Sequence, residues 1–66
     1  MHQYFYRAFV KFTHGSSRNV NGVVTCEPGD ILYYIHVKID KDYSQYCKES
    51  GDNIKYIDTT HVAKLD

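Results

Sequence analysis

The chain has no tryptophan, one proline, one methionine and only two cysteines, and its eight basic residues are cancelled by eight acidic ones. Two cysteines are too few for the disulfide framework on which small secreted domains depend. Charge neutrality disfavours two function classes, because a duplex-binding protein carries a basic excess and a DNA mimic an acidic one. Opposite charges are interleaved, as in Asp40-Lys41-Asp42, which reads as solvated surface. No apolar run approaches the roughly 20 residues a membrane helix needs, and the N-terminus lacks the basic-then-apolar pattern of a secretion signal. There is no Asn-x-Ser/Thr sequon. Together these features place the expected setting in the reducing cytoplasm, away from membranes.

What is present is aromatic. Seven Tyr and three Phe in 66 residues supply burial that a single small domain would otherwise lack, since each ring removes more area from water than an aliphatic side chain. Tyr4 to Phe12 is the most informative run. Tyr4, Tyr6, Ala8, Val10 and Phe12 form one continuous strand face, and the other sets Phe5 and Phe9 between Arg7 and Lys11. Period-two alternation with apolar residues on both sides belongs to a central strand.

The polar stretch His14 to Asn19 turns the chain as a hairpin loop, and Val20 to Cys26 follows as a second strand, with Gly22 inside it marking a bulge or a close backbone approach. Ile31 onward reads in two ways. At period two, Ile31, Tyr33, Ile35, Val37 and Ile39 form a strand face, with Glu27 to Asp30 as a type II turn. At 100° per residue, Ile31, Leu32, Ile35, Ile39, Tyr43, Tyr46 and Cys47 share one arc, with Tyr33, Tyr34 and Val37 opposite. The helix is preferred because its pattern runs through Cys47, Asp30 can cap its start, Lys48 suits its last turn and Gly51 can end it. Ile54 to Ile57 starts a third strand, which resumes after a polar break at Asp58-Thr59-Thr60. The expected fold is therefore α+β: one domain over residues 1–66, ββαβ, with a three-stranded antiparallel sheet in order 2-1-3 and one helix packed on one face.

No pattern announces chemistry. Four His and two Cys include no close ligand pair such as Cys-x-x-Cys. His2 and His14 would stand about 40 Å apart along one strand. Cys26 and Cys47 would be separated by about 24 Å along the helix, too far for a disulfide. There is no nucleophile elbow, phosphate-binding glycine loop or His-Glu-x-x-His. Neither an enzyme, a metal nor a cofactor is expected.

Two surfaces remain as candidates. On the open sheet face, Phe5 and Phe9 flanked by Arg7 and Lys11 have the residue types with which sheet-platform proteins stack unpaired bases and hold phosphates. On the outer side of the helix, Tyr33, Tyr34 and Val37 project among lysines, and Tyr is favoured at protein interfaces. The preferred function is a non-enzymatic protein-interaction module that binds another protein or itself, and the alternative is a single-stranded nucleic-acid binder using the sheet face.

The opening Tyr4-Phe5-Tyr6, the Gly22-Val23-Val24-Thr25 strand, the Ile31, Ile35, Ile39 spacing and the closing Ile54-Lys55-Tyr56-Ile57 resemble small phage and prophage accessory proteins with a strand-strand-helix-strand layout. The resemblance implies a host-takeover inhibitor, of the anti-CRISPR kind, that acts by binding a host complex. It includes no functional motif, so it assigns no site residue.

Overall fold

A computed structural model describes residues 1–66. Strand β1 (His2–Phe12) is followed by β2 (Ser17–Cys26), a single 3₁₀ turn at Pro28–Asp30, helix α1 (Ile31–Ser50) and β3 (Ile54–Lys64). The sheet is antiparallel in order β2-β1-β3. This is the ββαβ arrangement expected from the sequence, with β1 central and one sheet face covered by α1.

The hairpin between β1 and β2 is tighter than the sequence suggests. Its loop is Thr13-His14-Gly15, with the Gly15 N–H donating to the Phe12 carbonyl and the Phe12 N–H to the Ser16 carbonyl. Gly15 has φ of 98°, the left-handed geometry that completes a three-residue hairpin loop. Arg18 and Asn19, read as loop from their polarity, lie in β2.

Every second residue of β1 enters the core: Tyr4, Tyr6, Ala8, Val10 and Phe12 are all buried, with Val24 and Cys26 from β2 and Ile35 and Ile39 from α1. Ile31, Tyr43, Tyr46 and Cys47 pack against this cluster from the same side of the helix. Leu32 departs from the expected arc and remains 60% exposed. Helical periodicity gives its angle but not whether the sheet extends beneath the first turn. Asp30 occupies the N-cap position without a side-chain hydrogen bond, so it does not cap the helix as expected. Gly51 does close the helix, at φ of 73°, with its N–H on the Cys47 carbonyl at 3.0 Å. Both cysteines are free thiols.

Strand β3 explains why its sequence alternates poorly. Its pairing with β1 shifts register twice, so Lys55 and Thr60 are each the extra residue of a bulge. These insertions rephase the strand: Ile54, Ile57, Thr59 and Val62 lie opposite Phe12, Val10, Ala8 and Tyr6 on the helix side. The polar run Asp58-Thr59-Thr60 is thus inside one continuous strand and does not break it. The Thr60 hydroxyl donates to the Arg7 carbonyl at 3.3 Å, satisfying an acceptor beside the bulge.

Gly22 marks a close approach. An added Cβ would lie 2.9 Å from the Tyr6 hydroxyl oxygen and 3.1 Å from Lys38 Cε; Tyr6 is buried directly opposite on β1. Gly22→Val should therefore cost about 1–3 kcal/mol by overpacking, measurable as a lower urea midpoint. Unchanged stability would mean that the Tyr6 ring does not lie across β2.

Candidate functional site

Pairing in the sheet places each candidate on the open face. Phe5, Arg7, Phe9 and Lys11 face away from the helix, and the register sets Ala63, His61, Asp58 and Tyr56 opposite them on β3. Diagonal pairs bring rings together: Phe5 meets His61 edge-on at 6.2 Å, and Phe9 meets Tyr56 at 6.3 Å. The Arg7 guanidinium lies over the Phe5 ring at 5.7 Å, a cation–π contact. Tyr56 and His61 are members of this surface that sequence reasoning missed, because the bulges that aim them outward leave no regular alternation to read.

The same face contains elements that oppose an anionic ligand. Lys11 directs its ammonium to the Gly15 carbonyl at 2.8 Å, and Asp58 lies beside Phe9. Phe5 and Phe9 are each half-buried by neighbours in the sheet. Of the two cations flanking these rings, only Arg7 has its charged group over a stacking surface.

The second surface is more open. Tyr33 and Tyr34 stand at the start of α1 with their rings edge-to-face at 5.3 Å, and Tyr33 is 66% exposed. Leu32, beside them in sequence, and Val37, about one turn further on, are also exposed. Tyr34 and Val37 also form one wall of a groove of about 320 Å³ whose other wall is Val23, Val24 and Thr25 of β2. Its lower rim carries Lys38 and Asp42, an i,i+4 ion pair at 3.6 Å, and Lys41. The structure therefore joins Tyr34 and Val37 to the edge of the sheet, whereas Phe5 and Phe9 belong to a separate face.

A third cluster was not foreseen. Asp52, between α1 and β3, is 3% exposed. Its Oδ1 accepts from the Thr13 hydroxyl at 2.7 Å, the Asn53 N–H at 2.9 Å and the His14 N–H at 3.0 Å, and its Oδ2 accepts from the Tyr46 hydroxyl at 3.3 Å. Burial pushes this carboxyl up, but the Thr13 hydroxyl, the two amides and the His14 imidazole outweigh it and hold Asp52 below the usual carboxylate range. The cluster ties the hairpin to the end of the helix just before β3 begins, and both carboxylate oxygens are engaged from within the fold. A lone acidic residue after a helix-ending glycine is weak sequence-level notice of such a role.

Cys26 is buried in the core. Burial first, then the charges of Asp30 and Glu27, raise its thiol above the ordinary value, away from the thiolate that nucleophilic chemistry requires. No three His, Cys, Asp or Glu side chains lie together as metal ligands, and no helix is long and apolar enough to cross a membrane. No protein-family model, curated protein or solved structure matches the chain.

Proposed function

We propose that this domain is a protein-interaction module that acts in the cytoplasm through surface complementarity, with Tyr33, Tyr34 and Val37 at the centre of its contact. The observation that carries this reading is the run of exposed apolar and aromatic side chains at the start of α1, Leu32, Tyr33, Tyr34 and Val37. These residues contribute little to the core, so their cost in exposed apolar area is offset by a partner that covers them. A tyrosine pair supplies large contact area with few rotatable bonds. A host-takeover inhibitor, of the kind the phage resemblance implies, would work in this way by covering a surface of a host complex.

Capture from the source cell tests the reading. The parent chain should retain a protein that a Tyr33→Ser, Tyr34→Ser variant releases with about tenfold or greater loss of affinity, while its circular dichroism is unchanged. Equal retention by the variant removes this patch from the interface, and unfolding of the variant makes the two tyrosines structural.

The rings of Phe5, Phe9, Tyr56 and His61 on the open sheet face favour a second reading, single-stranded nucleic-acid binding with Arg7 and Lys11. A single-stranded DNA column distinguishes it. Under this reading the parent elutes late in a salt gradient and a Phe5→Ser, Phe9→Ser variant early; elution of the parent at low salt ends it.

A further inference from the structure

The two edges of the sheet are built differently. Strand β3 is blunted in the ways that prevent edge pairing: two bulges, and Lys55, Asp58, His61 and Lys64 along its length. Strand β2 has none of these from Asn19 to Cys26, where there is no charged residue and no proline, and its register with β1 is unbroken over ten pairs. Because the Phe12 N–H bonds the Ser16 carbonyl, strand alternation directs the backbone groups of Arg18, Val20, Gly22 and Val24 toward β1. Those of Asn19, Asn21, Val23 and Thr25 point outward, along an edge with which no other strand of the chain pairs.

We propose that β2 pairs with β2 of a second copy, antiparallel and centred on Val23, to give a continuous six-stranded sheet. The proposal rests on reading the chain as a protein-binding module and names a partner for the groove beside that edge. Charge selects a second copy: β2 carries Arg18 at its start and is followed by Glu27 and Asp30, with no charge between Arg18 and Glu27. Antiparallel self-pairing therefore brings the basic start of each strand to the acidic end of the other, twice, with Arg18 one position from Glu27 of the second copy rather than directly opposite it. Centred on Val23, the pairing places Val23 on Val23, Asn21 on Thr25, and Gly22 on Val24, so that the residue without a side chain meets a branched one. The outward groups supply about six hydrogen bonds between copies.

The size also fits. The molecule measures 37 × 18 × 16 Å, and centring on Val23, two residues beyond the Arg7–Asn21 middle of the sheet, offsets the copies by about 13 Å, so they share roughly 400 Å² per copy, the small area of a weak, reversible association. With each helix over its own β1, three strand spacings separate the two helices by about 14 Å. That is wider than the 8–10 Å of close-packed helices, and it leaves room for Tyr34, Val37 and the Lys38 and Lys41 stems that line the groove.

Sedimentation equilibrium on the parent and two variants tests the proposal. Val23→Lys sets two like charges directly opposite each other across the pair. Asn21→Pro removes an outward N–H without breaking the β1 ladder. The parent mass should rise from 7.7 kDa toward twice that value between about 1 μM and 1 mM, and each variant should dissociate at least about tenfold more readily with its circular dichroism unchanged. A parent that stays monomeric up to ~1 mM overturns the second copy as occupant, leaving the edge to a foreign strand, and a dimer that persists in both variants overturns the β2 edge as its site. Cell capture separates this inference from the function proposed above: a captured partner with a monomeric parent defeats only the dimer, and a dimer that captures nothing defeats only the foreign-partner reading.

Discussion

Phe12→Ala is expected to remove about 3–5 kcal/mol of stability, the usual cost of deleting a buried phenyl ring and leaving a cavity. Phe12 is fully enclosed. Its ring meets Tyr43 and Tyr46 edge-on, at 5.5 and 5.1 Å between centroids, so it is the point at which β1 holds the C-terminal half of α1. A chain of this length has about 3–10 kcal/mol of net stability in total, at 0.05–0.15 kcal/mol per residue. The substitution therefore consumes most or all of it, and urea denaturation should show little or no folded baseline. Phe9→Ala is the matched control, with the same chemistry on the same strand, but half-buried on the open face. Its expected cost is about 1 kcal/mol. Equal losses in the two variants would mean that the two faces of β1 have been assigned wrongly.

Asp52→Asn is expected to be the most damaging polar substitution in the chain, and to flatten the acid limb of the stability profile. The carboxylate receives hydrogen bonds from Thr13, His14, Tyr46 and Asn53, and a carboxamide meets some of those donors with an N–H₂ that cannot accept. The groups left without a partner are part-buried, which makes their loss costlier than the bonds alone. The pH dependence follows from the direction of the shift. Asp52 titrates below its ordinary value of 3.8 when folded, so as pH falls the unfolded chain takes up its proton first. The Asp52 contribution is complete above that ordinary value and is lost as pH falls from there through the lowered folded value. Asp66, also lowered because the Gln3 N–H, its own amide and the charges of His2 and Lys64 outweigh its burial, contributes in the same window, so the Asn variant should retain a shallower dependence. Thermal unfolding at a series of acidic pH values compares them; parallel profiles for parent and variant would place the acid sensitivity elsewhere.

How far each element was legible follows from how local its determinants are. The β1 pattern is a strict alternation over Tyr4 to Phe12, and the core row lies on the side that alternation indicates. Helix α1 was ambiguous over Ile31 to Ile39, where periods of two and 3.6 both fit, and was resolved by Tyr43, Tyr46, Cys47 and Gly51 beyond it. In β3 the signal failed for a physical reason: each bulge inserts one residue, so Ile54, Ile57, Thr59 and Val62 reach one face at spacings no single period describes. The candidate surface was legible only in part. Tyr33, Tyr34 and Val37 are exposed, as their helical angle implies, but their angle does not show that Tyr34 and Val37 meet Val23 across a groove.

The amino-acid sequence by itself determined the element order, the central place of β1, the helix over Ile31 to Cys47 with its glycine stop, and hence the α+β class. Each of these depends on neighbours in the chain, through side-chain period and terminal residues. Only the tertiary structure decided the rest. Asp52 became a junction because the hairpin residues Thr13 and His14, distant in sequence, meet Tyr46 of the helix on one carboxylate. Tyr56 and His61 joined the open face because pairing with β1 forces two bulges into β3. Of the two edges, β2 became the unprotected one because the register with β1 puts both bulges into β3 and leaves β2 regular, and where a ladder slips is a property of the assembled sheet.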